Sequence, residues 1–196
     1  GNDMYACGLD GYPKEIQIAG RLYTQKKLFK HDFFAGTGLF ELKDPASISN
    51  ECPLRIVLKF NRNRSFLFIP LRWLGVYLSR HEMNILKRLE DNPFVPKLLG
   101  PYEKCGLMYE FIEGCSLDTK PQLPDTYFDD LQNLLDDLHK QNICYIDMNK
   151  RGNILIGEDH RPYLIDFQIS LYLPRHWSGF LKHAFQQEDY YHLLKQ

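Results

Sequence analysis

The sequence predicts an α+β fold in which an antiparallel sheet with one helix precedes a shorter, mainly helical half. Three observations carry this: β-rich runs at 27–43 and 54–60, a helical apolar repeat after Pro70, and a second helical repeat followed by two short apolar runs at 154–156 and 163–165.

In chain order, KKLFKHDFFAGTGLFEL (27–43) reads as two strands around a small-residue turn at Ala35-Gly36-Thr37-Gly38, and LRIVLKF (54–60) as a third strand. After Pro70, Leu71, Leu74, Leu78, Ile85 and Leu89 recur at helical spacing until Asn92-Pro93 stops the pattern. KLLGPY (97–102) and GLMYEFIEG (106–114) read as two more strands. Phe128, Leu131, Leu134, Leu135 and Leu138 then form one apolar helical stripe. Ile154 to Ile156 and Tyr163 to Ile165 flank a turn at Gly157 to Arg161, and such a hairpin brings Asn153 and Asp166 together at its open ends.

The 196 residues are 44% hydrophobic and 25% charged, enough for a folded core in one domain or two small lobes. A net charge of −1 gives no bulk attraction to nucleic acid or an anionic membrane, and no nucleic-acid partner is expected. Five cysteines without a CxxC pair argue against a zinc module and a disulfide framework, which makes a reducing, cytoplasmic setting the default. The seven histidines show no metal-ligand spacing. The N-terminus lacks a basic-then-apolar signal pattern, and the apolar window 65–78, broken by Pro70 and Arg72, is too short to span a bilayer.

Several residues, in this order, resemble the protein-kinase superfamily, in a reduced form close to small bacterial kinases of the RIO and lipopolysaccharide-kinase groups. They are Lys59 in VLKF, Glu82 in SRHEMNILKRL, and Asp147, Asn153 and Asp166 in YIDMNKRGNILIGEDHRPYLIDFQIS. The resemblance covers about residues 27–172 and implies a reduced bilobal fold, with an N-lobe over 1–107, a hinge at 108–112 and a short C-lobe over 113–196.

It also implies ATP and Mg²⁺ as cofactors. Lys59 would contact the nucleotide phosphates, where a cation offsets their charge, and Glu82 would hold its rotamer, with Glu90 a weaker competitor. Gly36 and Gly38 fall where a glycine-rich loop would cover phosphates, although Glu41 replaces the third glycine and an ordinary hairpin fits the local residues equally well. Val57 and Leu155 would flank adenine, Tyr109 would be the gatekeeper, and the backbone of Glu110 to Ile112 would read the base. Asp147 would accept or orient the acceptor's hydroxyl proton, Lys150 would approach the γ-phosphate, and Asn153 and Asp166 would ligate Mg²⁺.

Three departures stand out. Tyr145-Ile146 replaces the histidine and arginine before the catalytic aspartate, which removes the receiver for a phosphorylated activation loop. One extra residue separates Asp147 from Lys150, so Asn149 is available for polar work there. Gln168 replaces the glycine after Asp166-Phe167.

After Asp166 only thirty residues remain, without the helices that dock peptide substrates. Trp177, Phe180, Leu181, Ala184 and Phe185 recur at helical spacing. This stripe is expected to dock on the lobe's own core, ahead of a contact of 175–196 with the inner face of a membrane. The helical pattern has no stop signal, as in a piece of a longer protein.

The expected activity is transfer of the γ-phosphoryl of ATP to a hydroxyl, on a protein Ser/Thr or a lipopolysaccharide-type sugar. A nucleotide-binding pseudokinase scaffold is the first rival and a small-molecule phosphotransferase the second.

Overall fold

The computed structural model describes residues 6–7, 11–62, 69–177 and 179–196. Most of the N-terminal stretch and residues 65–68 of the apolar window lie outside the described residues. The chain forms two compact units, Gly1–Met83 with Lys97–Phe111, and Asn84–Pro96 with Ile112–Gln196.

The first unit holds six antiparallel strands: β1 Glu15–Ile18, β2 Arg21–His31, β3 Ala35–Leu42, β4 Arg55–Asn61, β5 Leu98–Tyr102 and β6 Gly106–Glu110. They lie in the order β1-β2-β3-β4-β6-β5. The β1–β2 turn uses Ala19 and Gly20, both at positive φ, a two-residue connection matched to strand twist. Side chains alternate along β4: Ile56, Leu58 and Phe60 enter a buried cluster with Tyr12, Tyr23, Phe40, Leu42 and Met108. Val57 and Lys59 therefore belong to the opposite face of the sheet.

Helix α1 runs Arg72–Arg88, opening just after Pro70. Beyond its end, the Asn92 side chain accepts a 2.9 Å hydrogen bond from Phe94 N, which turns the chain as Asn-Pro predicts.

The second unit contains β7 Gly114–Ser116, α2 Tyr127–Lys140, β8 Ile143–Cys144, β9 Ile154–Gly157, β10 Pro162–Leu164, β11 Leu171–Tyr172 and α3 Gly179–Leu193. The strand expected over 106–114 is split, since β6 ends at Glu110 and β7 pairs with β9 instead. Helix α2 buries Leu131, Leu134, Leu135 and Leu138 as expected, but Tyr127 rather than Phe128 completes the face. Tyr127 is fully buried, its hydroxyl donating to Leu155 O at 2.9 Å, and Phe128 is 39% exposed.

Helix α3 corrects one expectation. Along the stripe Trp177, Leu181, Phe185, Asp189 and Leu193, burial rises toward the C-terminus: the first two are 45% and 41% exposed, and the last two are buried. Phe180 is 80% exposed. Only the second half of the helix packs, so Trp177, Phe180, Leu181 and Ala184 do not dock on the core. Among the described residues no helix is long and apolar enough to cross a membrane.

Candidate functional site

In the first unit, β4 presents Lys59 and α1 presents Glu82. Lys59 Nζ lies 2.9 Å from Glu82 Oε2, with the two side chains 6% and 1% exposed. Taking both charges out of water is costly, and the pair offsets that only by close contact. A lysine committed to a buried carboxylate is held in one rotamer, which is what a fixed phosphate contact needs. Glu90, the competitor, lies beyond α1 and is exposed. Val57 pairs with Tyr109 across β4 and β6, and Glu110 ends β6 opposite Ile56.

The structure corrects the position of Gly36 and Gly38. Both lie inside β3, opposite Phe60 and Leu58, hence on the sheet face away from Lys59. A Cβ on Gly36 would sit 2.5 Å from the Tyr12 ring, and one on Gly38 2.8 Å from the Tyr12 hydroxyl oxygen. Tyr12 fills that space and donates to Leu58 O at 2.7 Å, and burial pushes its phenol far above the usual range. The glycines make room for a buried ring.

The hairpin turn is Asp32-Phe33-Phe34. Asp32 Oδ1 accepts from Phe34 N at 2.9 Å and Ala35 N at 3.0 Å. These are the kind of amides a phosphate-covering loop would offer, and a carboxylate already occupies them. Burial works against the charge on Asp32, but Lys30 and those two amides outweigh it and hold the carboxyl below its ordinary value. Arg62, buried, braces the turn by donating to Phe33 O at 3.0 Å with its guanidinium over the Phe33 ring.

In the second unit, Asp147 is 3% exposed. Its Oδ2 accepts from Asn153 Nδ2 at 2.8 Å and lies 3.2 Å from Lys150 Nζ, on a side chain that is 61% exposed. Asn149 is exposed beside it. The β9–β10 hairpin pairs Ile154 with Leu164, and Ile165 N donates to Asn153 O at 3.0 Å, so Asn153 and Asp166 stand at adjacent open ends. Leu155 is buried on β9, opposite Tyr163 and Ser116, and Ile112 is half-buried.

Asp166 has φ +62°, and its Oδ1 accepts from Gln168 N at 3.3 Å. A left-handed backbone is uncommon outside glycine, and aspartate is among the residues that tolerate it. With its amide nitrogen given to Asp147, Asn153 has its carbonyl oxygen, and the Asp166 carboxylate supplies further oxygens, donors of the hard kind that Mg²⁺ takes.

The sequence reading missed what holds Asp147 in place. Asp189 of α3, with no exposed surface, accepts from Tyr145 N at 2.8 Å, from Ile146 N at 2.7 Å, and faces His139 Nε2 at 2.7 Å. Ile146 has φ +71°, a conformation that a β-branched residue adopts only under constraint. His139 Nδ1 meets the Tyr190 hydroxyl at 3.1 Å, and Tyr190 in turn donates to Asp136. Tyr145 donates through its hydroxyl to Ile165 O and packs edge-on against Phe167, tying the loop before Asp147 to the segment carrying Asp166. Cys144 lies in the same cluster, where burial and then Asp189 push its thiol up to about 12. The signal for Asp189 was a carboxylate at the i+4 position between Phe185 and Leu193, inside an apolar register.

No protein-family model and no curated protein sequence matches the chain. Solved structures do. A Rio2 kinase from Chaetomium thermophilum, determined as an ADP/Mg²⁺-phosphoaspartate complex, superposes with a TM-score of 0.62 at 14% identity, covering 87% of this chain and 55% of that one. Another structure of the Rio2 kinase from the same organism gives 0.61 at 15% identity, with 87% and 56% covered. The fold is protein-kinase-like. The chain spans a little over half the length of these kinases.

Proposed function

We propose that the chain is an ATP- and Mg²⁺-dependent phosphotransferase that moves the γ-phosphoryl group to a hydroxyl. The observation that carries this reading is the buried Asp147 carboxylate, bonded to Asn153 and fronted by the exposed Lys150 at 3.2 Å. A buried carboxylate beside an exposed lysine is suited to receive a hydroxyl proton as the oxygen attacks phosphorus. Lys150 offsets charge on the transferred group, and Lys59, fixed by Glu82, offsets charge on the remaining phosphates. Asn153 and Asp166 would hold Mg²⁺, which would supply charge neutralisation for the phosphates. In the first unit the backbone at Glu110 and the Val57 side chain would contact the base, and in the second the backbone at Ile112 and the Leu155 side chain.

The acceptor is a protein Ser/Thr or a lipopolysaccharide-type sugar. The likeness to Rio2 kinase, one of whose structures holds ADP and Mg²⁺, supports the nucleotide and metal assignment.

A pseudokinase scaffold is the second reading, favoured by the Asp32 carboxylate seated on the hairpin amides. Binding of a fluorescent ATP analogue with and without Mg²⁺ separates the two when paired with turnover. The kinase reading expects Asp166→Ala to abolish the Mg²⁺ enhancement of binding together with turnover. Wild-type binding without any phosphoryl transfer or hydrolysis would establish the scaffold.

A further inference from the structure

The chain has two tryptophans, and both are on its surface: Trp73 is 65% exposed and Trp177 is 45% exposed. Neither stands alone. On α1, Tyr77 follows Trp73 by one turn and is 59% exposed, with Ile69 before them at 56%. At the start of α3, Phe180 and Leu181 follow Trp177 at 80% and 41%. Large aromatics at such exposure, grouped rather than scattered, mark a contact surface.

Along the sequence each group carries charge of one sign, and in space Arg72 shares a shallow surface depression with the exposed pair Glu103 and Lys104. Residues 69–81 contain Arg72 and Arg80 and no acid, and the first acid after them, Glu82, is buried against Lys59. Residues 171–187 contain Arg175 and Lys182 and no acid, in a chain whose net charge is −1. Arg72, Arg80 and Arg175 are exposed, and Lys182 also donates to Asn142 Oδ1 at 2.9 Å.

We infer that each aromatic patch is a docking surface for an anionic lipid interface. Tryptophan, tyrosine and arginine together suit the headgroup layer, where a ring inserts at its apolar edge and a guanidinium remains with phosphate. Each patch lies within one unit and binds on its own terms, and lipid binding is independent of phosphoryl transfer.

The tryptophans make the test direct. Purified chain is titrated with phosphatidylcholine vesicles with and without phosphatidylglycerol, reading co-sedimentation and tryptophan emission. The expected result is co-sedimentation and a blue shift with the anionic vesicles only. The shift should reside in Trp73 when Trp177→Phe is used and in Trp177 when Trp73→Phe is used. Arg72→Gln/Arg80→Gln and Arg175→Gln/Lys182→Gln should each weaken binding on the order of fivefold per cation removed. These side chains are on the surface, so an unchanged far-ultraviolet circular dichroism spectrum reports intact folding. No co-sedimentation with anionic vesicles, or binding unaffected by both charge-removing variants, overturns the proposal.

Discussion

The two hairpins that matter most, β2–β3 in the first unit and β9–β10 in the second, place their chemistry at opposite ends. In β9–β10 the polar residues Asn153 and Asp166 stand at the open end, where strand pairing alone makes them neighbours. In β2–β3 the expected chemistry was at the tip, and there the amides are occupied by Asp32 while the glycines sit inside the strand against Tyr12. Register brings strand ends together from local sequence. A tip is shaped by whatever packs on it, here Arg62 from a later strand end, while Tyr12 decides what the strand beside it can hold.

That contrast is open to mutation. The largest structural effect is expected at Asp189, which supports the open-end hairpin's neighbouring loop. Asp189→Ala leaves one buried and one half-buried amide and His139 without their shared acceptor and should cost about 3–5 kcal/mol in denaturant unfolding. Asp189→Asn should recover part of the stability but not the turnover, because one amide oxygen cannot serve both Tyr145 N and Ile146 N. Full activity in Asp189→Ala would mean that Asp147 is positioned by something else.

At the other hairpin, Gly36→Ala should destabilise by about 1–3 kcal/mol through overpacking against Tyr12. Shrinking the ring by Tyr12→Leu in the same chain should recover part of that loss, with ATP affinity unchanged throughout. A selective loss of ATP affinity in Gly36→Ala without loss of stability would return this glycine to a phosphate-binding role.

The smallest effect is expected at the tip. Asp32→Ala should cost about 1 kcal/mol at neutral pH. Because the folded-state carboxyl titrates below its ordinary value, its stabilisation is complete above the unfolded value and disappears as pH falls through the folded one. The difference between wild type and variant should thus vanish in acid, and urea midpoints measured at neutral and acid pH check it. A difference that persists in acid would mean that Asp32 does not act through its charge.

The same contrast explains what the sequence made legible. Lys59, Glu82, Asp147, Asn153 and Asp166 were picked out through their resemblance to the protein-kinase superfamily, and the short hairpin by itself accounts only for Asn153 and Asp166 standing at adjacent ends. The two helical stripes at 71–89 and 128–138 came from spacing, with Tyr127 in place of Phe128 as the one substitution in the second. Strand β1 was missed because four residues carry little periodic signal. The Asp189 cluster was missed because its partners lie over forty residues earlier in the chain. On α3 the apolar spacing was correctly seen, but spacing does not say how far along its length a helix is covered. Phe180 lies in the half that is not, and Trp177 just before it.

The central claim is that Asp147 receives the acceptor's proton in a Mg²⁺-dependent transfer from ATP. Its most direct test is the rate of phosphoryl release or transfer from ATP with Mg²⁺, in wild type and Asp147→Ala, with nucleotide affinity measured alongside. Turnover in wild type that falls about 10²–10⁴-fold in Asp147→Ala, at unchanged ATP affinity, is the predicted result. Equal rates in the two proteins, or no turnover in either, would contradict it.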